Sequence, residues 1–308
     1  MIDSREQKKG AGFALLAFFF WGGLTPLYFK AVSGVPPIET LANRVIWSLL
    51  LVGVLLFAMK RVAGLRAALA SPKVLRTLLL AAFFVSLNWF LYIYAINASM
   101  TVEAALGYYI NPLINVILGM VVLRELLSRA QGLAVLLAAL GVANLTWQLG
   151  AVPWVGLALA LSFGIYGLIR KTAPLASLEG LFMETLLLAP FAIGLLVYLQ
   201  FFGGGQSMSL ADPGLFGLLM LSGPVTALPL IWYASAARRL RYSTIGLFQY
   251  LAPTCIMLTA VFVFGEPFTQ AHLVTFACIW AALAIYSFDS LLTARRLRRA
   301  QFLGKAPA

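Results

Sequence analysis

Charged residues are scarce in this sequence of 308 residues, and acidic ones are the scarcer kind. Asp, Glu, Lys and Arg together make up 10% of the chain, with 10 acidic against 22 basic residues. Soluble domains carry charge at roughly a quarter of their positions, whereas 62% of this chain is hydrophobic. The composition therefore excludes an ordinary soluble domain. It predicts an all-α integral membrane protein, because long apolar runs rather than alternating strands fill the sequence.

Cysteine and histidine are nearly absent. Cys255 and Cys278 lie inside apolar segments, and the single histidine, His272, lies where a helix is predicted to begin. None has neighbours suited to ligation, so we expect buried or flanking side chains rather than a disulfide or a metal site. The sequence also lacks the GxSxG, HExxH and GxxxxGK[ST] signatures. No cofactor, no metal and no enzymatic reaction are expected.

Apolar runs of membrane length predict ten transmembrane helices, at about 20 apolar residues per span. Short connections between them favour a compact bundle. The predicted helices lie near residues 11–30, 38–59, 74–95, 101–123, 130–148, 153–170, 178–200, 214–236, 243–264 and 270–290.

Two of these segments resemble each other. EAALGYYINPLINVILGMVVLRE at 103–125 aligns without a gap to TIGLFQYLAPTCIMLTAVFVFGE at 244–266. The alignment pairs Tyr109 with Tyr250, Pro112 with Pro253, and Glu125 with Glu266. The same shift of 141 residues also pairs residues that flank the two segments. We interpret it as an internal duplication.

A duplicated unit of five helices crosses a membrane an odd number of times, so its second copy must be inverted. The predicted organisation is a five-helix repeat at 1–148, an inverted five-helix repeat at 153–290, and a basic tail at 291–308. Inverted repeats are typical of secondary transporters, in which the two halves exchange conformations around a central site.

Lys and Arg concentrate in cytoplasmic segments of membrane proteins. With the N-terminus inside, 20 of the 22 basic residues fall on the inner side, leaving Lys30 outside and Arg44 within a helix. Both termini are therefore predicted to be cytoplasmic, and no cleavable signal is evident. The basic tail directly follows a membrane helix. It favours contact with anionic lipid at the inner face over nucleic-acid binding.

Ionisable residues within membrane helices are candidates for function. Arg44 and Glu184 are the foremost, as structural pairs or as groups of a substrate cavity or gate. Their predicted levels differ by about 12 Å, at ~1.5 Å per residue in a core of ~30 Å, which is too far for a direct salt bridge. Glu184 and Glu103 are possible proton-coupling carboxylates, although Glu103 also suits a helix N-terminus. Glu125 is expected to bond the start of the next helix at Ser128.

Pro112 and Pro253 are predicted to kink matching helices near the middle of the membrane. Asn111 and Gln249 lie beside them and are expected to face a common cavity; alternatively, these amides cap carbonyls that the prolines free. The remaining cavity candidates, which could instead be packing residues, are Trp89, Tyr92, Tyr108, Asn115, Tyr233 and Tyr250.

Several segments resemble the RarD group of EamA-type permeases, in the drug/metabolite transporter superfamily. The most specific are GYYINP and FQYLAP, and the others include WGGLTPLYFK, ETLANRVIWS, NWFLYIYAIN and TFACIWAALAIY. The resemblance implies a ten-helix inverted-repeat carrier of the bacterial inner membrane, associated with chloramphenicol sensitivity, and export rather than uptake. It implies no defined substrate site. The expectation is a secondary carrier for a small metabolite or drug; the alternatives are a non-transporting sensor or a lipid-modifying enzyme. Substrate, coupling ion and oligomeric state are left open.

Overall fold

The computed structural model describes residues 4–62, 65, 69–97, 100–150, 152–202, 212–263, 265 and 270–302. Within these ranges the regular secondary structure is entirely helical. The helices are α1 (Ser4–Phe19), a π-helical turn (Phe20–Leu24), α2 (Thr25–Ala31), α3 (Pro37–Ala58), α4 (Pro72–Asn97), α5 (Thr101–Val121), α6 (Arg129–Leu149), α7 (Trp154–Thr172), α8 (Ser177–Phe202), α9 (Pro213–Ala237), α10 (Tyr242–Gln249), α11 (Leu251–Phe262) and α12 (Gln270–Phe302).

Most of these helices are long and apolar enough to cross a membrane. In the described ranges, seven segments meet that criterion: Arg5–Ala31, Pro37–Ala58, Pro72–Tyr92, Arg129–Gln148, Trp154–Thr172, Ser177–Phe202 and Pro213–Ala237. Leu106–Val121 and Leu273–Asp289 are apolar but shorter. Large apolar side chains such as Phe191 (77% exposed) and Phe262 (79% exposed) point away from the protein interior, as lipid contact requires. The prediction of an all-helical membrane protein is confirmed; the number of crossings stays a prediction.

The last helix is longer than the sequence pattern predicts. It runs from Gln270 to Phe302, whereas the apolar pattern ends near 290. Residues 291–302, TARRLRRA among them, contain neither glycine nor proline and are rich in Ala, Leu and Arg, which favour helix. The first part of the predicted basic tail is therefore a continuation of α12. At 33 residues, α12 spans about 50 Å, well beyond a membrane core of about 30 Å.

The two prolines of the duplicated segments have different effects. Pro112 lies inside an uninterrupted α5. Pro253 lies in the first turn of α11, and the helix is broken at Tyr250, which separates α10 from α11. Because proline has no N–H and its ring collides with the preceding turn, it disfavours a continuous helix at this point. Instead of a kink at Pro253, the chain therefore has a helix break at Tyr250, three residues earlier.

Helices from the two halves of the sequence pack directly on each other. α5 contacts α7 and α10, α3 contacts α8 and α9, and α6 contacts α12. Two glycines permit the closest approaches. A β-carbon at Gly246 would lie 2.5 Å from the carbonyl oxygen of Pro112, and one at Gly22 would lie 2.5 Å from that of Ala252. Small residues at such crossings are a common device in membrane helix packing.

One end of the bundle gathers most of the ion pairs. Arg239 contacts Glu6 at 2.9 Å, Arg61 contacts Glu179 at 3.2 Å, and Arg241 contacts Glu125 at 3.8 Å. We call this end the charged face. It comprises Glu6, Arg61, Glu125, Lys171, Glu179, Arg238, Arg239 and Arg241.

Glu125 closes the charged face by binding a helix that is distant in sequence. Its carboxylate accepts hydrogen bonds from the backbone N–H groups of Tyr242 (2.6 Å) and Ser243 (2.9 Å), and from the Ser243 hydroxyl (2.6 Å). These N–H groups begin α10, where a negative charge is favourable. The expectation that Glu125 bonds the next helix at Ser128 is wrong. Ser128 instead caps α6 together with Gln131.

Candidate functional site

A cavity of about 380 Å³ lies inside the bundle. Its walls come from both halves of the sequence: α1 to α5 with the π-helical turn on one side, and α7, α9, α10 and α11 on the other. Arg44, Tyr108 and Leu159 line it from the parts of α3, α5 and α7 that lie away from the charged face. Its size and largely apolar wall with a few polar groups are typical of small-molecule sites.

Many of the residues singled out in the sequence line this cavity. They are Arg44, Trp89, Tyr92, Tyr108, Asn111, Gln249 and Pro253. The expectation that Asn111 and Gln249 face a common cavity agrees with this placement. Sequence reasoning missed Phe18, Trp21, Thr25, Phe29, Asn88, Phe163 and Thr226 among the lining residues. Asn88, like Asn111, is a polar side chain in an apolar helix and could have been identified from that pattern. The aromatic residues have no comparable pattern in the sequence.

Arg44 is the only charged side chain among the described lining residues. Its Nε donates a hydrogen bond to the Thr226 hydroxyl, at 2.9 Å. Its guanidinium carbon lies 5.4 Å from the ring centre of Phe29 and 5.3 Å from that of Trp89. Both distances are within the range of a cation–π interaction. The ion pairs formed by the described residues do not include Arg44.

A chain of amides connects three helices beside the cavity. Asn111 Nδ2 donates to the carbonyl oxygen of Ala160 on α7, at 2.7 Å. Asn115 Nδ2 donates to Asn111 Oδ1 at 3.3 Å and to Gln249 Oε1 at 2.7 Å. Asn115 is wholly buried behind the wall, whereas Asn111 and Gln249 also line the cavity. The amide of Asn111 therefore holds α5 against α7, and the hydrogen bonds found among the described residues do not join Asn111 or Gln249 to a carbonyl freed by proline.

Glu184 lies outside the cavity lining. Its carboxylate is 3.4 Å from Arg170 Nε and accepts a hydrogen bond from the Tyr166 hydroxyl, at 3.1 Å. All three side chains are buried. Arg170 is one of the 20 basic residues predicted on the inner side; it lies in the last turn of α7, and its side chain is wholly buried rather than exposed at the surface. Gly180, which has no side chain, leaves the space that its guanidinium fills. As predicted, Arg44 and Glu184 do not pair with each other.

Tyr233 and Tyr250 are packing residues in this structure. The Tyr233 ring lies 5.8 Å from that of Trp21 and 5.2 Å from that of Phe163, both of which line the cavity. Tyr250 belongs to a separate apolar cluster with Leu247. Pro112 is not among the described lining residues. Glu103 belongs to the first turn of α5, and its side chain lies outside the described residues.

Comparison with known proteins agrees with this architecture. The profile of the EamA-like transporter family matches residues 8–147. An uncharacterized transporter of Pseudomonas aeruginosa is 46% identical over 96% of this chain and 99% of its own length. Protein RarD of Escherichia coli is 40% identical over 96% of this chain and 99% of its own.

This chain belongs to the EamA-like transporter family, in its RarD group. It is a multi-pass membrane protein of transporter type, as the family resemblance predicts. A crystal structure of a protein with 18% sequence identity has a TM-score of 0.68, over 91% of this chain and 97% of that one. At that identity the likeness concerns the fold alone. It extends through both sequence halves of this family member, beyond the segment that the family profile matches.

Proposed function

We propose that this chain is a secondary carrier that moves a small metabolite or drug across the bacterial inner membrane, through the cavity between its two halves. The observation that carries the proposal is the cavity itself. It lies within a bundle of membrane-length helices, and both halves supply its walls and its polar groups. Export is the proposed direction, and it rests on the family resemblance alone.

We further propose ten crossings arranged as two inverted five-helix repeats, with both termini cytoplasmic. The helix contacts support this, because three contacts between the two halves each have a counterpart one repeat away. The contact of α5 with α7 corresponds to that of α11 with the π-helical turn. The contact of α4 with α7 corresponds to that of α9 with α1, and the contact of α3 with α9 corresponds to that of α8 with α4. A pattern of contacts that maps onto itself is expected when two copies of one fold face each other.

The charged face supports a proposal for the conformation. Hydrogen bonds and ion pairs hold the segment 238–241 against α1, the 122–128 connection and the 173–175 connection. The cavity lies toward the opposite end of α3, α5 and α7. The structure therefore fits a carrier that is closed on its charged, cytoplasmic side, with a site that opens to the other side.

Reconstitution tests the proposed function. Purified protein in liposomes is loaded with candidate solutes, namely amino acids, amphenicols and aromatic acids, and counterflow of the labelled solute is measured. Flux that saturates and disappears in protein-free liposomes is expected for at least one of these classes. Cooperative unfolding of the purified protein in detergent is the control that the protein is folded. If folded protein supports no flux of any of these solutes, the carrier function is contradicted and a non-transporting role is favoured.

A further inference from the structure

Arg44 is bound differently from Arg170, Lys171 and Arg239, which are other buried or half-buried cations among the described residues. Arg170 faces the carboxylate of Glu184 and donates to the Ser177 carbonyl at 3.0 Å. Lys171 donates to two backbone carbonyls, and Arg239 contacts the carboxylate of Glu6. Each of these cations has an anion or at least two carbonyl acceptors. They are the structural cations of this fold; Arg170 depends chiefly on the charge of Glu184, because its Nε and one terminal nitrogen are buried without a hydrogen-bond acceptor.

Arg44 donates one hydrogen bond to a neutral hydroxyl, that of Thr226, and lies against the faces of two aromatic rings. Its other polar neighbours, Tyr28, Tyr92 and Tyr108, are also uncharged. The described residues offer its two terminal nitrogens no hydrogen-bond acceptor and no carboxylate. A charge held at this depth in a membrane protein is expensive, and such residues face cavities or mark sites of function. An arginine used only for packing could be replaced by an apolar side chain of similar size without that expense.

The geometry of the Arg44 guanidinium fits a side chain that is placed to bind an anionic ligand. A planar guanidinium binds a carboxylate through two parallel hydrogen bonds, and the outer edge of the Arg44 group is free to do so while Nε stays on Thr226. The rings of Phe29 and Trp89, together with Thr226, restrict the guanidinium without neutralising its charge. Its orientation is thus set before an anion binds, which lowers the entropy lost on binding.

We propose that Arg44 binds the anionic group of the transported solute, a carboxylate, and that the aromatic wall of the cavity holds the apolar part. The substrate class is small amphipathic organic anions, aromatic carboxylates foremost. Trp21, Phe163 and Trp89 supply the aromatic wall. The amides of Asn111 and Gln249 have hydrogen-bonding capacity beyond their bonds to Ala160 and Asn115, which a second polar group of the solute can use. This inference rests on the proposed function as a carrier.

The electrostatic part of the proposal is tested without knowing the solute. Cys255 and Cys278 are replaced by alanine, and Val225, which lines the cavity beside Thr226, is replaced by cysteine. Rates of modification by an anionic and a cationic methanethiosulfonate reagent of similar size are then compared. With Arg44 present, the anionic reagent should react faster relative to the cationic one, by about tenfold or more for a unit charge within ~8 Å in a medium of effective dielectric ~40.

Arg44→Gln should abolish this preference, and Arg44→Lys, which keeps the charge, should retain it. Equal rates for the two reagents, or a preference that survives in Arg44→Gln, would overturn the inference. Either result leaves the carrier function standing, because it concerns only the charge of the cavity.

Ligand binding tests the geometric part. Thermal unfolding of the purified protein is followed with indole-3-acetate and 3-phenylpropionate, each compared with its neutral amide. The carboxylates should stabilise the wild type more than the amides, and Arg44→Gln should remove that difference. Arg44→Lys should retain only part of it, because lysine lacks the bidentate fork. A preference for the amides, or no dependence on Arg44, would overturn the proposal.

Flux separates this inference from the proposed function. Carboxylates that bind through Arg44 but do not cross the liposome membrane would refute the carrier while keeping the site. Saturable flux of neutral solutes that is unchanged in Arg44→Gln would refute the anion site while keeping the carrier.

Discussion

The buried ion pair between Arg170 and Glu184 gives the sharpest prediction about stability. Both side chains are wholly buried, and the pair joins the end of α7 to the second turn of α8. Tyr166 donates a hydrogen bond to Glu184, and the Ser177 carbonyl accepts one from Arg170. Removing either partner leaves a charge inside the protein with no compensating charge.

We therefore expect Glu184→Leu to lower the free energy of unfolding by about 3–5 kcal/mol, the usual effect of breaking a buried pair. Arg170→Met should have an effect of similar size. The double variant should recover most of the loss, because two apolar side chains of similar volume leave no charge unpaired. Glu184→Gln keeps an acceptor for Tyr166 and should cost less, about 1.5–3 kcal/mol.

Unfolding by sodium dodecyl sulfate in mixed micelles measures these four variants against the wild type, and the coupling energy follows from the double-mutant cycle. Additive losses in the double variant would refute the pairing. As long as it stays folded, the Glu184→Gln variant should still support counterflow in liposomes, because Glu184 lies outside the cavity lining. Loss of flux in a stably folded Glu184→Gln would instead make Glu184 a coupling residue.

Three further predictions concern topology, the charged face and the amide chain. Applied from outside the cell, an impermeant thiol reagent should label Ser33→Cys in the turn after α2 but not Ser71→Cys before α4; the reverse pattern would contradict the proposed orientation. Glu125→Gln should raise hydrogen exchange of the Tyr242 and Ser243 amides about tenfold or more, because bonds to a charged acceptor contribute about 1.5–3 kcal/mol, whereas Glu6→Gln on the same face should leave these amides unchanged. Gln249→Leu should weaken solute binding more than it lowers the unfolding temperature, because the Asn115 amide that loses Gln249 keeps its bond to Asn111. Asn111→Leu should lower both, since it removes the bond between α5 and α7 at Ala160; unchanged affinity in both variants would exclude the amides from the site.

The helices and several of the residues that line the cavity could be predicted from local features of the sequence. An apolar run of 20 residues has few alternatives to a membrane helix, and the described helix ends mostly fall within a few residues of the predicted ones. Arg44, Asn111 and Gln249 stand out because polar groups are rare in such runs. Each was a cavity candidate from its own helix, with a structural role as the alternative, and all three line the cavity described above.

Contacts between distant segments could not be inferred in this way. Arg170 lies in the last turn of α7, where basic residues usually reach water or lipid headgroups. Its burial depends on the space that Gly180 leaves on another helix. Likewise, the carboxylate of Glu125 binds the start of α10, more than a hundred residues later. The π-helical turn at Phe20–Leu24, which brings Trp21 to the cavity, has no periodic signal that would distinguish it from α-helix.

Arg44, the one charged side chain among the described residues of the cavity wall, would link the proposed carrier to the membrane potential. An elementary charge that moves through the whole potential changes the free energy by about 2.3 kcal/mol per 100 mV. In the proposed carrier, Arg44 would place one positive charge within the field when the cavity is empty, and a bound monoanion would cancel that charge. A negative cell interior would then act on the empty carrier and leave the loaded one nearly unaffected. Energised membranes would in this way bias the step in which the unloaded protein resets, even if no coupling ion accompanies the solute.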